Sequence, residues 1–462
     1  MTADGLTQAR NKMTEAGVAP TAIDVFSRFY ELLESGETGA VPESDVAPLR
    51  DVPELSTLEV DEQAGREALA ATAVIKLNGG LGTSMGMDRA KSLLRVRDDH
   101  TFLDVIAQQV LAARAATGAR LPLVLMNSFR TQQDTLAALE RYPELPVDDL
   151  PLDFLQNREP KLRTEDLTPV EWPADPSLEW CPPGHGDLYA ALYASGILRR
   201  LLDAGFRYAS VSNSDNLGAA PDARIAGWFA ASGAPFASEV ARRTPADRKG
   251  GHLVVRRSDG RIILRETAQT LPEDAEAAAD IETHPFFNTN NLWLDLRALA
   301  AELDRTGGVL DLPLIRNDKT VDPSDPSSTP VVQIESAMGA AIEVFDGAAV
   351  LEVDRSRFLP VKTTNDLLVL RSDVYRSTEE HRLVATVDAP LVDLDPKHYK
   401  TITAFDSRVP STPSLAEAQA LTVRGDWTFG RGVVVVGRAE LADQGSGAQV
   451  PDGATVTSAG LG

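Results

Sequence analysis

The sequence predicts an α/β protein: a core of alternating strands and helices, a helical leader before it and a parallel β-helix after it. Three observations carry that expectation. From Ala73 onward short apolar runs alternate with helix-patterned ones, with 74–77 and 121–126 reading as strands and 102–113 and 132–139 as helices. Upstream, Ile23, Phe26, Phe29, Tyr30 and Leu33 recur at helical spacing until Glu34-Ser35-Gly36 ends the run. Downstream, apolar residues recur every six positions, Leu421, Trp427, Val433 and Ala439 in one row and Val423, Phe429, Val435 and Leu441 in another. Glycines at 425, 430, 432 and 437 fall between them, where a solenoid turns its corners. A pair of antiparallel strands is the alternative for this last segment. The division expected is 1–70, helical; 71–384, the α/β domain; and 385–462, a proline-containing linker to about 420 followed by the β-helix.

Length and charge bound what such a chain does. Its 462 residues suffice for two or three domains, and 43% hydrophobic with 24% charged residues is an ordinary globular balance. A net charge of −23 argues against nucleic acid or an anionic membrane as partner, so an anionic substrate has to be drawn by local cations. No run approaches the roughly 20 apolar residues of a membrane span, and the start, MTADGLTQARNK, lacks the apolar region of a signal peptide. The one cysteine, Cys181, excludes an internal disulfide framework. A cytoplasmic protein is expected.

The stretch Val74-Ile75-Lys76-Leu77-Asn78-Gly79-Gly80-Leu81-Gly82-Thr83-Ser84-Met85-Gly86, with Lys91 beyond it, runs an apolar strand into a glycine-rich loop and a cation. Backbone N–H groups in such a loop approach a phosphate closely, and the lysine adds full charge. It is not a P-loop, because Ala90 precedes Lys91, and Gly80, Gly82 and Gly86 miss the dinucleotide spacing by one residue. The run 208–216 reads as a strand ending in polar residues, with Asp215 at the sheet edge, where one carboxylate with substrate phosphates suffices for Mg²⁺. Asp-Asn-Leu-Gly is also good turn sequence. Asn288 and Asn290 fall on one face of a strand, where two amides can share sugar hydroxyls, or else belong to an asparagine-rich turn. Pro182-Pro183-Gly184-His185-Gly186-Asp187 is a stiff entry into a helix expected over 188–202, with His185 a contact residue, not a base, or a packing residue. Lys362 stands among apolar neighbours, either facing an anion or lying on the surface.

Six ordered motifs, the glycine loop, 124–129, 182–187, 212–218, 287–293 and 356–364, resemble those of the eukaryotic-type UTP:glucose-1-phosphate uridylyltransferase family. The resemblance implies a Rossmann-like nucleotide-diphospho-sugar transferase core with a mixed sheet and a left-handed C-terminal β-helix. It further implies that Leu77, Asn78, Gly79 and Gly80 contact the nucleotide, Lys91 the phosphates, and Gln156 and Gly184 the uracil. His185 would touch the substrate, Asn213 and Asn290 the sugar, Glu266 a sugar hydroxyl, Asp215 the metal and Lys362 the α-phosphate. One departure is Arg89-Ala90, where the family often has Gly-Pro before the loop lysine. The activity implied joins UTP and glucose 1-phosphate with Mg²⁺ as cofactor, and self-association through the C-terminal domain is expected. A pyrophosphorylase for another sugar 1-phosphate and a non-catalytic sugar-nucleotide sensor are the alternatives.

Overall fold

The structure, a computed structural model, describes residues 3–97, 99–244, 247 and 250–461. Its centre is a mixed ten-stranded sheet. Four strands run parallel side by side in the order Tyr208–Asn213, Thr72–Asn78, Leu123–Asn127 and Asp153–Leu155. Their carboxyl ends therefore open on one edge, where α/β sheets collect ligands. Phe286–Asp295 pairs antiparallel with both Tyr208–Asn213 and Phe236–Arg242, and Ala349–Glu352 joins the latter in parallel. Through these pairings the Asn288–Asn291 stretch and the chain beyond Glu352 arrive at the same edge.

Both faces of the sheet are covered. On one, helix Pro20–Glu34 buries Ile23, Phe26, Phe29 and Tyr30, the spacing read from the sequence. Each large apolar side chain so buried contributes about 1.5–3 kcal/mol. On the other, helices Phe102–Thr117, Ala223–Ser232 and Thr364–Arg371 pack against Val74, Leu125 and Ala237. That apolar cluster continues without a break into Leu421, Phe429, Val435 and Val456.

Several elements differ from the sequence expectation. The leader is not wholly helical: besides helices Ala3–Glu15, Pro20–Glu34 and Glu62–Ala70 it supplies Val46–Pro48, a strand on the margin of the main sheet paired with His252–Arg256. Pro48 lacks a ladder N–H and is tolerated there because nothing pairs beyond it. The helix expected over 188–202 is two, Leu188–Ala194 and Ile197–Asp203, parted at Gly196 with φ +74°. Residues 385–420 are not a linker but hold strand Leu391–Leu394, helices Pro396–Tyr399 and Ile402–Arg408, and the start of strand Ser414–Val423.

In the C-terminal segment Leu391–Leu394, Ser414–Val423, Val434–Leu441 and Thr455–Thr457 pair successively in parallel, and Trp427–Phe429 pairs in parallel with Ala448–Val450 in a second sheet. Leu421 stacks on Ala439 and Val423 on Leu441, three six-residue steps later. The first and fourth members of each predicted row thus lie directly above one another, while the second members, Trp427 and Phe429, belong to the second sheet. The last strand, Gly460–Leu461, reverses and runs antiparallel to Thr455–Thr457. Among the described residues no helix is long and apolar enough to cross a membrane.

Candidate active site

The strand Thr72–Asn78 is buried almost throughout and delivers the glycine loop to the sheet edge. Asn78 turns its side chain inward, its amide donating to Asn127 Oδ1 at 2.8 Å and Thr135 Oγ1 at 2.9 Å. The Asn78 side chain is therefore committed to the interior of the fold. A Cβ on Gly79 would overlap the Gln156 side-chain amide, so any larger residue there has to displace it, while the Gln156 backbone is fixed by its N–H to the Asn127 carbonyl at 2.7 Å. Gly80, by contrast, faces open space, with nothing within 4 Å of where its Cβ would stand. The loop then folds back so that Lys91 N donates to the Gly80 carbonyl at 3.0 Å.

Across this loop, the Ser214 N–H donates to the Leu77 carbonyl at 3.0 Å, which ties the turn after Tyr208–Asn213 to the neighbouring strand. Asn213 is the strand's last residue and half-buried. Asp215 lies in the turn beyond it, and its Oδ2 is 2.5 Å from Lys91 Nζ. Two residues expected to serve phosphate and metal separately are thus brought together. Beneath them Lys76, 1% exposed, donates to Ser212 Oγ and the Ala219 carbonyl, and burial pushes its ammonium down to about 7. No sequence signal marked Lys76 beyond its place in an apolar strand.

On the other flank Gly184 adopts φ +78°, and a Cβ there would stand 2.5 Å from the Ser336 carbonyl. His185 follows. Its Nδ1 accepts the Met338 N–H at 2.9 Å, which leaves the proton of a neutral ring on Nε2. Burial pushes His185 down to about 4, so it stays neutral at physiological pH. Asp187, next to it, is anchored differently from a simple helix-dipole partner: its carboxylate accepts from Asn157 N at 2.6 Å and Asn157 Nδ2 at 2.7 Å, and so holds the residue after Gln156.

Segment 336–339 links His185 to the asparagine strand, since a Cβ on Gly339 would meet Asn288 Nδ2 at 3.2 Å. Asn288 Nδ2 donates to Asn290 Oδ1 at 2.9 Å, and Asn290 N returns a bond to Asn288 Oδ1 at 3.2 Å, so the two amides share one face. Asn290 takes φ +57° where the register against Phe236–Arg242 slips. Burial raises the Glu266 carboxyl, and the charge of Lys362 opposes the rise. Lys362 itself is exposed, at the end of a segment that bridges to the Asp215 turn through Asn216 and Pro360.

Metal chemistry has a narrow foothold. Among the described residues no three His, Cys, Asp or Glu side chains are grouped to hold an ion. Asp215 offers a single carboxylate, a donor set that fits Mg²⁺ held largely by phosphates and water and not an all-protein cage.

A carboxyl edge that gathers a glycine loop, a lysine–aspartate pair and a row of amides defines a nucleotide-binding α/β protein. The family model described as UTP--glucose-1-phosphate uridylyltransferase matches residues 23–436. The enzyme of that name from Solanum tuberosum is 39% identical over 87% of this chain and 84% of its own length, and that from Hordeum vulgare 38% over 98% and 95%. A variant of UDP-glucose pyrophosphorylase from Leishmania major, crystallised with UDP-glucose, superposes with a TM-score of 0.91 at 42% identity over 98% of both chains. The Trypanosoma brucei UDP-glucose phosphorylase gives 0.89 at 42% identity, covering 98% of this chain and 99% of its own. The chain belongs to the UTP--glucose-1-phosphate uridylyltransferase family.

Proposed function

We propose that this enzyme transfers the uridylyl group of UTP to glucose 1-phosphate, giving UDP-glucose and pyrophosphate. A phosphate monoester with a second pKa of about 6 is largely dianionic at neutral pH. Its oxygen therefore attacks the α-phosphorus of UTP without a general base. One P–O bond forms as the bond from the α-phosphorus to the oxygen bridging the β-phosphate breaks, and that electron pair leaves with pyrophosphate.

The observation that carries this reading is the Lys91–Asp215 pair set against the open Gly80 at the sheet edge. The backbone from Leu77 to Gly80 lines the nucleotide. Gln156 and Gly184 frame the uracil, and His185 donates from Nε2 to the substrate. Asn213, Asn288 and Asn290 take sugar hydroxyls, with Glu266 accepting from one. Lys91 and Lys362 meet the charge that grows on the phosphorus oxygens. Asp215 would hold Mg²⁺, which when bound supplies charge neutralisation and alignment of the phosphates.

We also infer that the enzyme works in the cytoplasm, as a single cysteine suits. The C-terminal strands wind as a left-handed β-helix through which copies associate, with the domain division at about 70 and 385. Light scattering on the eluting protein tests the association.

Pyrophosphate release from UTP with a panel of sugar 1-phosphates tests the reaction. Glucose 1-phosphate is expected to turn over fastest. Faster release with galactose or N-acetylhexosamine 1-phosphate would reassign the sugar, and release with none would leave a sugar-nucleotide sensor.

A further inference from the structure

The two cations of the site sit on separate stretches of chain, Lys91 behind the glycine loop and Lys362 far downstream. Between those stretches lies a buried side chain, Asn216, bonded to the backbone on either side. Asn216, 2% exposed, follows Asp215 directly, and Asp215 holds Lys91. Its Oδ1 accepts from Leu359 N at 2.8 Å and Gly218 N at 3.2 Å. Its Nδ2 donates to Asn291 Oδ1 at 3.0 Å and to the Arg357 carbonyl at 3.1 Å. One amide thus uses both its donors and two acceptor bonds to join the Asp215 turn, the asparagine strand and the segment that ends in Lys362.

The far side of that junction is itself clamped. Arg357 places Nε and Nη2 on the two oxygens of Glu239 at 3.0 and 2.8 Å and Nη1 on the Ala220 carbonyl at 2.6 Å. Glu239, 1% exposed, also accepts from Asn291 Nδ2 at 3.0 Å and Trp293 Nε1 at 2.9 Å. A buried ion pair is a poor source of stability compared with apolar packing of the same volume. A fully satisfied polar network does, however, hold one geometry. We propose that Asn216 is a positioning residue, which with the Glu239–Arg357 clamp behind it fixes Lys362 relative to Lys91 and Asp215. This rests on the uridylyltransferase reading above.

The test is a double-mutant cycle on kcat with Asn216→Ala, Lys362→Ala and both together. If Asn216 acts through Lys362, Asn216→Ala alone lowers kcat by up to about 10²-fold, with the KM for UTP shifted much less. Added to Lys362→Ala it then costs little more, the non-additivity expected of coupled residues. Additive losses, or a loss confined to KM, would overturn the positioning role. Should Asn216→Ala fail to fold, Asn216→Asp keeps the two acceptor bonds and removes the two donors, and the same cycle decides. A wild type that releases pyrophosphate with no sugar 1-phosphate would overturn the functional reading and this inference with it. A wild type that turns over but gives an additive cycle would overturn this inference alone.

Discussion

Lys91 and Asp215 neutralise each other across 2.5 Å, each side chain about one-fifth exposed. A phosphate arriving at Lys91 competes with that carboxylate, and a divalent cation arriving at Asp215 competes with that ammonium. On the roles proposed above, nucleotide and metal are coupled through one pair. Asp215→Asn should raise the Mg²⁺ concentration needed for half-maximal rate, while UTP binding measured calorimetrically without metal is kept or strengthened. An unchanged Mg²⁺ titration would remove Asp215 as the metal's ligand.

Lys91→Ala and Lys362→Ala should each lower kcat by roughly 10²-fold, the scale for removing one preorganised electrostatic group. Rapid-quench measurement of the chemical step separates this from slow product release. Normal turnover in both variants would place the charge stabilisation elsewhere.

Gly79→Ala should act on nucleotide recognition and not on chemistry, because the new Cβ displaces the Gln156 amide. Losing one base-edge hydrogen bond of about 1–1.5 kcal/mol weakens UTP binding by roughly tenfold. Competition binding with CTP and UTP reads the same change as lost discrimination. Equal loss for both nucleotides would mean that Gln156 does not face the base.

His185, held at about 4 against 6.5 for the free side chain, is neutral throughout the working range. The pH–rate profile should keep its shape in His185→Gln while kcat/KM falls. Stability carries a sign as well. Between pH 6.5 and 4 the unfolded chain binds a proton that the folded chain does not, so this group's contribution to stability is lost as pH falls through that window. Denaturation midpoints of wild type and His185→Gln should converge on acidification, and parallel curves would show that the ring is not buried neutral.

Features built from contiguous residues are legible in the sequence. The glycine loop and helix Pro20–Glu34 follow from local spacing, which is the information periodicity carries, whereas Asn288 and Asn290 meet through a turn at a bulge and not through strand alternation. The six-residue repeat announced parallel strands, but the 18-residue offset at which Leu421 meets Ala439 was not legible, since a repeat does not say how many of its steps separate paired strands. Polar pairs between distant segments were not legible. Nothing near Lys91 in the chain points to Asp215, and nothing near Asn216 points to Leu359 or Asn291. Lys76 stands inside an apolar strand, and its partners, Ser212 Oγ and the Ala219 carbonyl, lie more than 130 residues away, so only the fold shows them.

The reversal of Gly460–Leu461 has a consequence for colloidal behaviour. A stack of parallel strands presents bare backbone at both ends, and each bare end can template a further strand from another molecule. Here the reversed strand occupies one end, while Leu391–Leu394 remains the outer strand at the other. Both outer strands still carry unpaired backbone, but one is two residues long and the other four, and edges so short give a strand from a second copy little to pair with.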